Sequence, residues 1–160
     1  AGARLLRTVT VLGSTGSIGQ ATLDLIARRP GDFAVEALTG AGNVALLADQ
    51  AIRHRARLAV TAREDRLCDL RDALAGTGIE AAAGPRAVEE AAARPADWTM
   101  AAIVGAAGLV PSLAVLRRGG TLALANKETL VAGGRLVTAE AARTGAAILP
   151  VDSEHSGLFQ

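Results

Sequence analysis

Read for its apolar and polar positions, the chain alternates short hydrophobic runs with longer stretches of helical period. Apolar runs bounded by turn residues predict buried strands, and apolar positions recurring three and four apart predict helices packed on them. The strand-like runs are Thr8 to Leu12, Phe33 to Leu38, Leu58 to Thr61, a weak one at Ile79 to Ala82, Met100 to Val104, Thr121 to Ala125 and Ala147 to Val151. Between them the spacing predicts helices ending near Arg29, over Val44 to Arg55, Glu64 to Leu74 and Pro85 to Ala93, before Arg118, and over Arg135 to Arg143. Pro30-Gly31 stops the first helix, as these residues do just past a helix end. Strands alternating with helices, with few hairpin signals, predict an α/β fold: a doubly wound, mostly parallel sheet with helices on both faces. There is no internal repeat and no Ser- or Pro-rich linker, and the only candidate domain boundary falls near Pro150.

Composition narrows this picture. A length of 160 residues suits one domain with a real core, or one domain and the start of another. Tyr is absent and Phe and Trp are scarce, so the core must be aliphatic, as in a sheet buried on both faces. The net charge of +1, with no basic run and no aromatic stacking set, argues against a nucleic-acid partner. Trp98 to Leu116 carries no charge, but Gly105, Gly108, Pro111 and Ser112 interrupt it; strand, turn and helix explain it better than a membrane span. Cys68 is the only cysteine, which excludes an internal disulfide and fits a reducing compartment. The leading AGARLLR is too short for an intact signal peptide and lacks an initiating Met.

Three motifs carry chemistry. GSTGSIG, Gly13 to Gly19, follows the first strand and opens the first helix. Glycines there permit a tight turn and close backbone approach, and the N–H groups at the helix start face a pyrophosphate. Any tight strand-to-helix turn also favours glycine, but this context predicts dinucleotide binding. NAD-preferring sites place an acid at the tip of the second strand to bind the ribose 2′-hydroxyl. This strand ends Ala37-Leu38-Thr39-Gly40, and the nearest acid, Glu36, comes too early and points toward a strand interface. The missing acid favours NADP. The following GAGN supplies no cation for a 2′-phosphate, which leaves Asn43 with backbone amides, or Arg53 or Arg55 reaching in.

The second motif, ANKET from Ala125 to Thr129, follows a late strand, where ligands gather in such sheets. Asn126 can bond a ribose or an amide, and Lys127 can hold an anion or polarise a carbonyl. Equally, Asn126 can be the N-cap of a helix with Glu128 near its positive end. The third motif is DSEHS. Asp152 and Glu154 project to one side of an extended segment, a pair of hard oxygen ligands suited to Mg²⁺ or Mn²⁺. Ser153 and Ser156 suit a phosphate or hydroxyl, and His155 reads as a surface histidine. A solvated polar tail explains the same residues.

Taken together, GSTGSIG, ALANKE and ILPVDSEHSGLFQ resemble the 1-deoxy-D-xylulose 5-phosphate reductoisomerases in order and spacing along the whole chain. The resemblance implies a Rossmann-like NADPH-binding domain over 1–150 and the start of a truncated catalytic domain over 151–160. It implies isomerisation and reduction of 1-deoxy-D-xylulose 5-phosphate to 2-C-methyl-D-erythritol 4-phosphate, in isoprenoid precursor synthesis, with NADPH and Mg²⁺ or Mn²⁺. By position, Gly13, Thr15, Gly16, Ser17, Ile18, Gly42, Asn43, Asn126 and Glu128 would contact the cofactor. Lys127, Ser153 and Glu154 would hold the phosphosugar, Lys127 and Glu154 would be catalytic, and Asp152 and Glu154 would ligate the metal. The family often has Lys or Arg where this chain has Gly42, which weakens the electrostatic case for a 2′-phosphate. The chain alone is expected to be inactive, and the full-length enzyme a homodimer in a bacterial cytoplasm, or in a plastid if a transit peptide was removed. A standalone NAD(P)-binding or redox-sensing module is the competing expectation.

Overall fold

The computed structural model describes residues 6–125 and 128–151, with the side chains of 128–132 outside the description. Seven strands form one sheet in the order β4-β3-β2-β1-β5-β6-β7. They are β1 (Arg7–Leu12), β2 (Phe33–Gly40), β3 (Leu58–Thr61), β4 (Glu80–Ala83), β5 (Trp98–Ala101), β6 (Thr121–Leu124) and β7 (Ala147–Pro150). Every pairing is parallel, so the expected mostly parallel sheet is wholly parallel among the described residues. The helices are α1 (Ser17–Ala27), α2 (Val44–His54), α3 (Leu67–Ala73), α4 (Pro85–Ala93), α5 (Leu109–Arg117) and α6 (Glu128–Thr144).

The period-two alternation of the strands explains the two layers of helices. Val9 and Val11 of β1 pack with Leu23 and Ile26 of α1, Leu47 and Ala51 of α2, and Leu70 of α3. Leu12, one residue out of phase, packs with Leu113 and Leu116 of α5 and Val137 of α6. Val88 and Ala91 of α4 cover Ala37, Leu58 and Val60 on β2 and β3. Burying a side chain such as Leu47 or Leu116 stabilises the fold by roughly 1.5–3 kcal/mol, so this aliphatic sandwich needs few aromatic rings. Phe33 and Trp98 meet edge to face at 5.9 Å.

Several strand ends differ from the sequence pattern by one or two residues, and three other differences affect β5, α6 and α3. Strand β5 begins at Trp98 and ends at Ala101, earlier than expected, because its register is set by pairing with Val9 to Leu12. Helix α6 begins at Glu128 rather than near Arg135, with a kink at Gly133 that hid its period. A Cβ at Gly133 would stand 2.5 Å from Leu109 Cδ1, so the glycine permits the close crossing of α5 and α6. The segment Glu64 to Leu74 divides into a 3₁₀ turn, Glu64–Arg66, and then α3.

The sheet order reverses between β1 and β5: the chain winds outward from β1 to β4, then returns to β1's other side. In open parallel sheets, the crevice beyond the strand ends at such a reversal is where ligands bind. The turn after β1 lies at this place.

Candidate functional site

The glycines after β1 serve three separate purposes. Gly13 takes a φ of +81°, and a Cβ on it would lie 2.7 Å from the Ala102 carbonyl oxygen, so it lets the turn pass against the end of β5. A Cβ on Gly19 would lie 2.2 Å from the Gly13 carbonyl oxygen, so its absence lets α1 sit directly on the turn. Gly16, the N-cap of α1, has only the Gly13 oxygen nearby, at 3.7 Å from a Cβ position. That space is open to a ligand. No acidic residue occupies the first turn of α1, so no carboxylate of that turn opposes an anion at the positive end of its dipole.

The tip of β2 locks this turn. The Gly13 N–H donates to the Thr39 carbonyl at 3.1 Å and to Thr39 Oγ1 at 3.0 Å, and the Ser14 N–H donates to the same carbonyl at 2.8 Å. Ser14 is fully buried and bonded to Gln50 of α2. Sequence reasoning missed Thr39, Ser14 and Gln50. The available signal was a lone glutamine on the apolar face that Leu47 and Ala51 mark on α2.

A cleft of about 1280 Å³ opens above the turn, lined by Gly13, Thr15, Gly16, Ser17 and Ile18. All five expected residues of the first motif thus share one cavity. Its far side is formed by Ile103 and Val104 beyond β5 and by α4 and α5, a largely apolar wall. The glycine cradle and this wall fit a dinucleotide.

Gly42 and Asn43 are not part of that lining. Asn43 caps α2, its Oδ1 accepting from the Leu46 N–H at 3.2 Å. Neither Arg53 nor Arg55 reaches toward Gly42, contrary to one expectation. Arg53 pairs with Asp49 at 2.7 Å, and Arg55 closes the far end of α2 in a left-handed conformation. A helix rises about 1.5 Å per residue, which puts both roughly 15 Å from the loop. The nearby cation is Arg63, whose Nη1 would lie 3.3 Å from a Cβ on Gly42.

Glu36 occupies a bulge in β2, where the pairing passes from Val9 with Val35 to Thr10 with Ala37. There it accepts from Arg94 at 3.0 Å and lies 3.6 Å from Arg57. It is therefore committed to ion pairs well before the strand tip, and the tip itself carries no acid.

Strands β6 and β7 end at the same edge as the glycine turn. The Ala125 N–H donates to the Ala101 carbonyl at 3.5 Å, and the Val151 N–H to the Leu124 carbonyl at 3.0 Å. Asn126 and Lys127 lie outside the described residues, as does the side chain of Glu128. Asp152, Ser153, Glu154, His155 and Ser156 lie outside them as well. Among the described residues no cluster of three His, Cys, Asp or Glu could hold a metal, and no helix is long and apolar enough to cross a membrane.

Known proteins match this arrangement closely. The family profile of 1-deoxy-D-xylulose 5-phosphate reductoisomerase matches residues 9–134. The reductoisomerase of Paracoccus denitrificans is 67% identical over 157 residues, covering 97% of this chain and 40% of the relative. The Zymomonas mobilis reductoisomerase in complex with NADPH superposes with a TM-score of 0.91 at 54% identity, over 98% of this chain and 41% of that one. A reductoisomerase structure with NADPH, fosmidomycin and magnesium gives a TM-score of 0.88 at 38% identity, over 97% of this chain and 38% of that one. The chain thus spans about 40% of the length of the curated relatives it matches. From the glycine turn of β1 to the kink of α6, both sequence and fold follow one pattern, and the chain belongs to the 1-deoxy-D-xylulose 5-phosphate reductoisomerase family.

Proposed function

We propose that this chain is the NADPH-binding part of an enzyme that isomerises 1-deoxy-D-xylulose 5-phosphate and reduces the product to 2-C-methyl-D-erythritol 4-phosphate. The observation that carries this is the open cradle at Gly16, at the sheet edge where β6 and β7 also end. The amides of Thr15 to Ile18 bind the pyrophosphate, and Gly13 shapes the turn that presents them. Gly42 and Asn43 lie beside the adenosine ribose, while Asn126 and Glu128 hold the rest of the cofactor. Residues 1–150 form this domain, and 151–160 begin the catalytic part.

The substrate side is built from the next two strand ends. Val151 bonds to Leu124, so the segments that follow β6 and β7 leave the sheet from neighbouring positions. Lys127, Ser153 and Glu154 bind the phosphosugar there, with Lys127 and Glu154 closest to the reacting atoms. Asp152 and Glu154 are hard oxygen donors suited to Mg²⁺ or Mn²⁺. When bound, NADPH supplies a hydride and the cation acts as a Lewis acid on the substrate's oxygens. A homodimer in the bacterial cytoplasm completes the proposal.

The test is NADPH oxidation by the full-length protein with 1-deoxy-D-xylulose 5-phosphate, with and without Mg²⁺ or Mn²⁺. Metal-dependent consumption of NADPH is expected. A protein that binds NADPH yet shows no turnover under any metal would favour a nucleotide-sensing module instead.

A further inference from the structure

We infer that Arg63, from the turn after β3, reads the 2′-phosphate of NADPH in place of a cation at position 42. The inference rests on the proposed cofactor site. A 2′-phosphate lies beyond the tip of the second strand, where a nearby arginine accommodates it in NADP-binding sheets. The loop at that tip, Ala41 to Asn43, has no cation of its own.

The neighbouring turn supplies one and is fastened in place. The Ala62 N–H donates to the Gly40 carbonyl at 2.8 Å, and Thr61 Oγ1 donates to the Ala41 carbonyl at 2.7 Å. The Arg63 N–H in turn donates to Thr61 Oγ1 at 3.2 Å. These bonds hold the start of the β3–α3 connection against the loop after β2. Asp65 then orients the guanidinium, accepting from Arg63 Nε at 3.1 Å and Nη2 at 2.6 Å. The remaining nitrogen, Nη1, is the atom that faces Gly42.

The glycine leaves room for this guanidinium. A side chain at position 42 would crowd Arg63, with Nη1 only 3.3 Å from the first carbon. A longer side chain at 42 would compete for the space that the glycine leaves to a guanidinium from the turn after β3. Planar guanidinium suits phosphate oxygens, and half of the Arg63 side chain remains open to solvent, so a ligand can reach it.

The experiment is titration of NADPH and of NADH into the full-length protein, followed by nucleotide fluorescence. Wild type, Arg63→Gln, Arg53→Gln and the double variant Arg63→Gln with Gly42→Lys are compared. Arg63→Gln should weaken NADPH about 10- to 100-fold, the range of a hydrogen bond to a charged group, and leave NADH within about 2-fold. Arg53→Gln should change neither, and the added lysine should restore most of the NADPH affinity. Unchanged NADPH affinity in Arg63→Gln would overturn the inference, as would an equal loss of both nucleotides, which would make Arg63 a support for the loop only. Failure of the wild type to bind NADPH would instead sink the cofactor site itself, and this inference with it.

Discussion

The Ser14 hydroxyl donates to Gln50 Oε1 at 2.8 Å, and Gln50 Nε2 donates back to the Ser14 carbonyl at 2.9 Å. Both residues are buried, and 36 positions of chain separate them. This reciprocal pair ties the glycine turn to α2, so the loop that follows β1 inherits the rigidity of a packed helix. Buried polar groups left without partners cost about 1–3 kcal/mol each. Gln50→Leu strands the Ser14 hydroxyl and takes the Nε2 donor away from the Ser14 carbonyl. The variant should lose about 2–4 kcal/mol of stability on that scale, read by urea denaturation, and should bind NADPH more weakly. Full stability would show that water satisfies Ser14 and that the pair is dispensable.

Two glycines of the same turn should respond in opposite ways. At Gly16 the backbone is extended, with φ −78° and ψ 172°, and the added side chain meets only open cleft. Gly16→Val should therefore stay folded within about 1 kcal/mol, as for a substitution outside the core, and lose cofactor affinity more than 10-fold, an effect of roughly 1.4 kcal/mol or more. At Gly19 a Cβ would lie 2.2 Å from the Gly13 oxygen and 2.5 Å from Ser14 Cα. Gly19→Ala must push α1 off the turn, at a cost of about 2–3 kcal/mol, typical of overpacking. Thermal denaturation beside NADPH titration separates the two; a folded Gly16→Val with normal affinity would make the turn purely structural.

His54, at the last turn of α2, titrates below its ordinary value of 6.5 because burial disfavours the imidazolium; Arg53 adds to this and Asp24 opposes it. The unfolded chain therefore takes up its proton at higher pH than the folded one. Stability contributed by the neutral imidazole is present above pH 6.5 and falls as pH drops through the folded value. His54→Gln should flatten the pH dependence of the urea midpoint below that point. An identical slope in wild type and variant would place the acid sensitivity elsewhere.

Asp152→Asn should remove most metal-dependent NADPH oxidation from the full-length protein while sparing NADPH affinity. The proposed metal carboxylates come after β7 in the chain and the proposed nucleotide cradle after β1, and these two strands stand three places and about 14 Å apart at the usual strand spacing. An amide keeps the shape but loses the charge that a hard divalent cation needs. Near-normal turnover at low metal would show that Asp152 is no ligand.

Local sequence determined the order of strands and helices, because short apolar runs between turn residues suit buried strands and longer runs with apolar positions three and four apart suit helices. It also placed Gly13 to Gly19 at the first strand's end, and the structure brings Gly13 and Thr15 to Ile18 into one cleft. The three motif blocks pointed to the reductoisomerases, and the family was legible from them. What pairing decides was not legible. The bulge that diverts Glu36 to Arg94 depends on β1's register against β2. The start of α6 was hidden by a kink at Gly133, where the helix crosses close to Leu109, a residue distant in sequence. Arg63 stands beside Gly42 only because β3 lies next to β2, so a search for a cation along the loop and helix α2 finds Arg53 and Arg55 and misses it. Hydrophobic period fixes which face of an element is buried; the partner across that face is chosen by the packing of the whole sheet.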